Sequence, residues 1–356
     1  KHFRRVLADP QVEILDPATG TGTCISELIE YLPRHQLPYK YQEEIHCNEV
    51  AILPYYIANL NIEITYKQKM GQYEEFRHIC LMDTLDNTAK LNYAGKQARL
   101  GFSGENAARI LGQNQRVISV ILGNPPYNAN QQNENDNNKN REYQEVDQRI
   151  KETYVAHSRA QKTKVYDMYA RFLRWASDRV APNGIVAFVT NNSFINAKTF
   201  DGFRKCVAEE FNEIYIIDLK GDAHTSGERR QREAGNVFDD KIRVGVAVYF
   251  LVRKENASGC HIFYTAVADF LEAEEKKAFL HQQKFADLPF EHVIPDAKHN
   301  WINLVENDFE SLLPLVSKAK AGKGEEAVFG LFSNGVVTAR DEWVYDVDSQ
   351  NLATKV

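Results

Sequence analysis

Four consecutive residues, Asn124-Pro125-Pro126-Tyr127, could hold a planar amine. They follow the apolar run Val117–Leu122, and because proline is costly inside a parallel strand, the proline pair is expected beyond the strand end in a fixed, extended loop. Neither proline has an N–H, whereas the Asn124 side-chain oxygen and the Pro125 carbonyl are acceptors. Two acceptors suit a substrate NH2 group. Taken alone, the motif is equally consistent with a turn followed by a core tyrosine.

By itself the motif predicts only that a planar amine is held beside an aromatic face, and one reaction that such a frame could support is methyl transfer to an aromatic amine. Such an amine is a poor nucleophile because its lone pair is delocalised into the ring. Two acceptors outside the ring plane would favour a pyramidal nitrogen and stabilise the positive charge that develops as the methyl group arrives. The Tyr127 ring offers a face for a base, and such stacking contributes roughly 1–3 kcal/mol. A base in duplex DNA would have to be extruded first.

A second motif, Asp16-Pro17-Ala18-Thr19-Gly20-Thr21-Gly22-Thr23, predicts a strand that ends in an acid, a tight glycine turn and a helix. It lacks the Gly-Lys-Ser/Thr of a Walker loop, and Ile25 occupies the place of the third glycine of a dinucleotide fingerprint. An acid before the turn would repel a pyrophosphate but would attract an ammonium group. The predicted cofactor residues in this segment are Asp16, Ala18, Thr19, Gly20, Gly22 and Thr23.

The next two predicted strands also end in acids, Glu49 and Asp83, the latter followed by Thr84. A carboxylate at the second strand end can accept both ribose hydroxyls, and one at the third can accept from an adenine amino group. Each acid alone is more often a solvated loop residue. Successive acids at the ends of parallel strands predict a site for an adenosyl group with a cationic tail.

Apolar runs rich in Val, Ile and Phe alternate with helical patterns, which predicts an α/β fold. Seven strands are expected at Val12–Asp16, Ile45–Glu49, Ile79–Asp83, Val117–Asn124, Gly184–Asn191, Glu213–Leu219 and Val244–Arg253. Crossover helices are expected at Thr23–Leu32, Tyr166–Val180 and Phe194–Phe211. The polar segment Lys220–Arg243 reads as a long loop before an antiparallel last strand.

Composition sets limits on the function. The 356 residues are 43% hydrophobic, with no run apolar enough for a membrane span and no secretory signal, so a cytoplasmic location is expected. The five cysteines show no zinc-binding spacing, and no metal site is predicted. A net charge of −6 is unusual for a nucleic-acid enzyme, so either the basic residues are locally concentrated or the main DNA contacts lie elsewhere.

The segment 128–141, directly after Tyr127, is dominated by Asn and offers almost nothing to bury. Such a segment is expected to be mobile on its own. Its position suggests an active-site flap, while a solvated insertion without function remains an equal alternative.

Together these residues resemble a known family. The two motifs, in this order, are similar to those of the γ-class N6-adenine DNA methyltransferases. The Asn-rich segment, Tyr166-Asp167-Met168-Tyr169-Ala170-Arg171-Phe172 and Gly235-Asn236-Val237-Phe238 resemble, more narrowly, the methyltransferase region of large single-polypeptide, Type ISP-like restriction–modification enzymes. The resemblance covers roughly residues 10–255.

The resemblance implies a class I, Rossmann-like methyltransferase sheet of seven strands, mostly parallel with an antiparallel last strand and helices on both faces. It implies S-adenosylmethionine as cofactor, double-stranded DNA as partner, and transfer to a flipped adenine with Phe238 packing on the base opposite Tyr127. Residues 1–255 would form the methyltransferase domain. Residues 256–356 would lead toward a target recognition domain, and nuclease and helicase-like regions would share the polypeptide.

Some features depart from the family, and alternatives stay open. Too few residues precede Val12 to supply the segment that covers the cofactor methionine in the family. The only local basic cluster, Arg229-Arg230-Gln231-Arg232, could contact phosphate or simply be solvated. The same Asn-Pro-Pro-Tyr frame occurs in methyltransferases of release-factor glutamine and of RNA guanine. A catalytically silent DNA-binding module would also retain the fold.

Overall fold

A computed structural model describes residues 2–88, 104–127, 142–158, 164–238 and 242–302, together with 312–313, 315, 327–329 and 348–355. The predicted flap at 128–141 lies outside these residues. The chain divides into two compact units, Lys1–Leu304 and Val305–Val356. In the second unit, Phe329 donates from its amide to the Leu315 carbonyl, and a helix spans Ser349–Lys355.

The first unit is built on one sheet. Its strands are β1 Glu13–Asp16, β2 Ile45–Glu49, β3 Ile79–Leu81, β4 Ile118–Gly123, β5 Gly184–Asn191, β6 Glu213–Lys220, β7 Val246–Arg253, β8 His261–Ala266 and β9 Glu291–Val293. Their order across the sheet is β3-β2-β1-β4-β5-β7-β6-β8-β9. Strand β7 is antiparallel to both of its neighbours, and β9 is antiparallel to β8, whereas the remaining pairs are parallel.

Helices fill the connections. Among the described residues of the first unit, the α-helices are α1 Thr23–Tyr31, α2 Leu37–Tyr39, α3 Ile52–Met70, α4 Gly104–Gln115, α5 Gln144–Ile150, α6 Met168–Arg179, α7 Ser193–Asn196, α8 Asp201–Glu210, α9 Gly227–Glu233 and α10 Ala273–Gln282. Two π-helical segments, Lys40–Glu44 and Lys151–Val155, continue α2 and α5. None of the helices in the described part of the chain is long and apolar enough to cross a membrane.

Both faces of the sheet are covered by apolar side chains. Ile14 belongs to one buried cluster, with residues of α1 and α3, and Leu15 belongs to another, with residues of α5, α6 and α8. Successive side chains of a strand point to opposite faces, so the two clusters lie on opposite sides of the sheet. Burial on both faces explains why the strands are apolar runs and not alternating patterns.

The α/β prediction is confirmed, but the predicted count of seven strands is wrong because the sheet has nine. Strands β8 and β9 extend it beyond β6, and the antiparallel strand β7 lies inside the sheet. Both extra strands are partly exposed and carry polar residues among the apolar ones, so they lack the continuous apolar runs that mark the buried strands. The predicted domain boundary at residue 255 falls between β7 and β8, two strands of this sheet.

Candidate functional site

Asp16 is the last residue of β1 and is 1% exposed. Its Oδ1 accepts a hydrogen bond of 3.0 Å from the Ala18 amide. Burial raises the pKa of the Asp16 carboxyl to about 7, and the nearby charge of Glu49 adds to the increase. A buried carboxylate of this kind would be stabilised by a cation placed beside it.

The glycine turn after Asp16 has a conformation and spacing that other residues tolerate poorly. Gly20 and Gly22 have φ angles of 58° and 86°, and Gly22 precedes α1. A Cβ on Gly22 would lie 3.2 Å from the Ala58 Cα, so glycine lets the start of α1 pack against α3. A Cβ on Gly20 would meet no atom within 4 Å, and the turn therefore leaves open space at the end of β1.

Glu49, at the end of β2, is linked to this turn. Its Oε2 accepts from the Gly20 amide at 2.8 Å and its Oε1 from the Ala51 amide at 2.8 Å. Glu49 is 9% exposed. Each carboxylate oxygen keeps capacity for a second hydrogen bond, so both ribose hydroxyls of a nucleoside could still be accepted here.

Two of the predicted threonines hold the strand ends together. The Thr19 hydroxyl donates to the Asp16 carbonyl at 3.2 Å, and the Thr84 hydroxyl donates to the Pro17 carbonyl at 2.6 Å. The structure therefore places both side chains against backbone of the β1 end. Thr23 begins α1.

Asp83 follows β3 and is partly buried. Its Oδ1 accepts from the Leu85 amide at 3.1 Å, and its Oδ2 accepts from the Tyr143 hydroxyl at 2.9 Å. No sequence motif marks Tyr143, which lies 60 residues away from Asp83 along the chain and outside both motifs. Its ring also lies 5.4 Å from the Arg171 guanidinium carbon, so a cation–π contact helps to fix it.

The end of β4 lies directly against Asp16. A Cβ on Gly123 would lie 2.8 Å from Asp16 Oδ1, so only glycine permits this approach without displacement. Asn124 and Pro126 are exposed, whereas Pro125 and Tyr127 are buried. The Tyr127 hydroxyl donates to Asn124 Oδ1. The acceptor predicted for the substrate amine thus has an internal partner that an incoming amine could replace.

Phe238 stands opposite Tyr127. The two ring centroids are 6.5 Å apart with an angle of 40° between the planes, and Phe238 is 37% exposed. The Phe238 amide donates to Asn236 Oδ1 at 3.0 Å. The geometry brings an aromatic residue of the β6–β7 connection to the loop after β4.

Phe194, just after the β5 end, and two arginines of the basic cluster make contacts of their own. Phe194 is 2% exposed and packs in the core against Tyr249 and Trp301, away from solvent.

In the basic cluster, Arg232 pairs with Glu228 at 2.5 Å, and Arg230 donates to the Ala234 carbonyl at 2.6 Å. Within the described residues, Arg232 thus forms an ion pair within α9, and Arg230 forms a hydrogen bond to the residue that follows this helix.

The composition of the site favours a particular ligand. The carboxylates of Asp16, Glu49 and Asp83 stand at the ends of β1, β2 and β3, which are neighbours in the sheet. Ionised carboxylates accept hydrogen bonds only, so they suit a ligand with an ammonium group, vicinal hydroxyls and an amine. The loop that follows β4, which contains Asn124 and Tyr127, borders the Asp16 end of this row.

Comparison with known proteins gives a family and related structures. Residues 39–224 match the model of the Eco57I restriction-modification methylase family. None of the curated proteins compared matches the chain.

Three solved structures cover 99% of this chain with a TM-score of 0.89 each. The cryoEM structure of a DrdV–DNA complex is 60% identical, and the chain covers 34% of its length. A nuclease-deletion mutant of the Type ISP restriction-modification enzyme LlaGI, in complex with a DNA substrate mimic, is 33% identical with 29% covered. The ATP-dependent Type ISP enzyme LlaBIII bound to DNA is 34% identical with 24% covered. The chain thus spans 24–34% of the length of these proteins.

Proposed function

The chain belongs to the Eco57I restriction-modification methylase family, and from this premise we propose that it is an S-adenosylmethionine-dependent DNA methyltransferase acting on adenine N6. The observation that carries the proposal is the contact between the β4 end and Asp16, where a Gly123 Cβ would lie 2.8 Å from Asp16 Oδ1. The loop after β4 would hold the acceptor amine next to the three carboxylates, and these carboxylates would bind an adenosyl cofactor. Methyl donor and acceptor would therefore meet at one sheet edge.

The cofactor would be held by the acids of the first three strands. Asp16 would face the ammonium group, Glu49 the ribose hydroxyls and Asp83 the adenine amino group. The open space at Gly20 gives room for the ligand to approach the backbone. When bound, S-adenosylmethionine supplies a methyl group on a sulfonium, and the task of the protein is to orient the acceptor in line with it.

The target adenine would lie between Tyr127 and Phe238. Its amine would donate to Asn124 Oδ1 and to the Pro125 carbonyl, in place of the Tyr127 hydroxyl that Asn124 accepts now. The hydrogen bonds to both acceptors would become stronger as positive charge develops on the nitrogen. The two rings have tilted planes, so a small adjustment of Phe238, which is partly exposed, would let both rings stack on the base.

The DNA and the rest of the polypeptide are inferred from the related structures. The DrdV, LlaGI and LlaBIII structures contain DNA or a DNA mimic and are about three to four times as long as this chain. We infer that this chain is likewise the methyltransferase region of a restriction–modification polypeptide with nuclease, helicase-like and target recognition regions. Phosphate contacts outside this chain are consistent with its net charge of −6.

The proposal is tested by supplying the complete polypeptide with tritiated S-adenosylmethionine and unmethylated plasmid DNA, total RNA or a protein extract. The expected product is N6-methyladenine in the DNA. As a control, the variant Asn183→Ala should give the same product as the wild type. Asn183 is exposed and lies just before the start of β5, whereas the candidate site lies at the opposite ends of the strands. Label found only in RNA or protein would overturn the assignment to DNA.

A further inference from the structure

We propose that Lys276, on α10, is a positioning residue for Phe238 and hence for the flipped adenine. The inference rests on the proposed function for its substrate, but the contacts that carry it do not depend on that function. Lys276 lies outside the segment that matches the family model and beyond the sequence-predicted methyltransferase domain.

Lys276 is fully buried, which is rare for a lysine. Its Nζ donates to the Gly235 carbonyl at 2.6 Å and to the Glu233 carbonyl at 2.9 Å. Both carbonyls belong to the backbone just before Asn236. Burial of an ammonium group is costly unless its hydrogen bonds are made, so these two carbonyls and Lys276 hold one another in place.

The backbone that Lys276 holds leads straight to Phe238. Asn236 is buried and donates from Nδ2 to the Val244 carbonyl at 2.8 Å and to the Gly221 carbonyl at 3.2 Å. Its Oδ1 accepts from the Phe238 amide at 3.0 Å. Asn236 thus ties both ends of the β6–β7 connection to Phe238, and Lys276 fixes the residue before it.

The start of α10 packs against the same backbone. A Cβ on Gly235 would lie 2.5 Å from Glu272 Oε2 and 3.0 Å from the Ala273 amide nitrogen. The Phe270 amide donates to the Arg232 carbonyl at 3.0 Å. A capping box between Glu272 and Glu275 fixes the first turn of α10. The start of α10 therefore supports the backbone of residues 233–235, and the main contacts are the two hydrogen bonds from Lys276.

Lys276→Met keeps most of the apolar length of the side chain and removes the two donors. With the complete polypeptide and unmethylated plasmid DNA, we expect the rate of methyl transfer to fall by about tenfold or more, while the Kd for S-adenosylhomocysteine stays within about twofold. Gly235→Ala, which displaces the loop from α10 and leaves Lys276 intact, should have the same effect. Lys277→Met, on the same helix but paired with Glu274 at 2.8 Å, should behave as the wild type.

A double-mutant cycle separates positioning from a general loss of structure. If Lys276 acts through Phe238, Lys276→Met should reduce transfer much less in a Phe238→Ala background than in the wild type. Equal losses in both backgrounds would overturn the proposal.

Hydrogen exchange of the cofactor-free protein tests the attachment without DNA. Peptides covering residues 232–238 should exchange faster in Lys276→Met than in Lys277→Met, with no change in β1 and β4. Unchanged exchange in this segment would overturn the proposal even if the protein methylated DNA. If the wild-type protein methylated no DNA, the proposed function would be wrong. The hydrogen exchange of residues 232–238 would still test whether Lys276 holds this segment.

Discussion

At the scale of single residues, Asp16 links the row of carboxylates at the ends of β1, β2 and β3 to the loop that follows β4. It accepts from the Ala18 amide, lies beside Glu49 and limits residue 123 to glycine. A charged carboxylate in this position is costly unless a cation lies beside it, because burial disfavours the charged form. Binding of a cation would offset that cost.

The raised pKa of Asp16, about 7, predicts the pH dependence of stability. A carboxyl whose pKa is higher in the folded than in the unfolded protein stabilises the fold at low pH, and this contribution is lost as the pH rises through 7. The increase from 3.8 to about 7 corresponds to roughly 4 kcal/mol at most. Asp16→Asn should therefore raise the free energy of unfolding at pH 8 and have little effect at pH 4, as measured by urea denaturation.

Asp287→Asn is the control, because Asp287 is exposed and should leave the pH profile unchanged. Ionised Asp16 is also the form that an ammonium group favours, so the affinity of the wild type for S-adenosylhomocysteine should increase between pH 6 and pH 8. If the stability of Asp16→Asn depended on pH in the same way as that of the wild type, the raised pKa of the buried Asp16 carboxyl would be excluded.

At the scale of elements, the glycine turn sets the distance between α1 and α3. Gly22→Ala should lower the free energy of unfolding by roughly 1–3 kcal/mol, because its φ of 86° disfavours alanine and the new Cβ would lie 3.2 Å from the Ala58 Cα. Gly112→Ala in α4 meets no atom within 4 Å and should be neutral or stabilising by up to about 1 kcal/mol. Thermal unfolding of both variants compares them, and equal stabilities would contradict the packing argument.

Elements with buried, continuous apolar runs could be predicted well from the sequence. The seven predicted strands all exist, and β2 and β5 have the predicted ends. The helix predicted over Phe194–Phe211 is instead broken into α7, a 3₁₀ turn at Lys198–Phe200 and α8. The break follows from extended backbone at Ala197, which no proline or glycine marks in the sequence.

At the scale of the molecule, the first unit continues beyond residue 255 with two strands of the sheet, β8 and β9, and with α10. Strand β8 pairs with β6, and the Tyr264 hydroxyl on β8 donates to Asp218 on β6 at 3.0 Å. A chain shortened to residues 1–255 should lose one of the two strands that pair with β6, together with the Lys276 attachment. It should therefore unfold at a lower temperature than a chain of residues 1–304. Circular dichroism during heating compares the two, and equal transitions would show that the smaller domain is sufficient.

The candidate site could be predicted in part for a physical reason. Strand-end residues such as Asp16, Glu49 and Asn124 are local features, and the parallel sheet brings their neighbouring strand ends to one edge. Tyr143 and Lys276 act through contacts between distant segments, so no local pattern marks them. The long separation between Lys276 and Gly235, 41 residues, shows how much of the site depends on the fold as a whole.

The most direct test of the central claim is single-turnover methyl transfer by Asn124→Ala, with cofactor affinity measured on the same preparation. If Asn124 holds the acceptor amine beside the Asp16 site, the Kd for S-adenosylhomocysteine should stay within about twofold. Transfer to DNA should fall by roughly 100-fold or more. Transfer at the wild-type rate by Asn124→Ala would contradict the account, whatever the substrate.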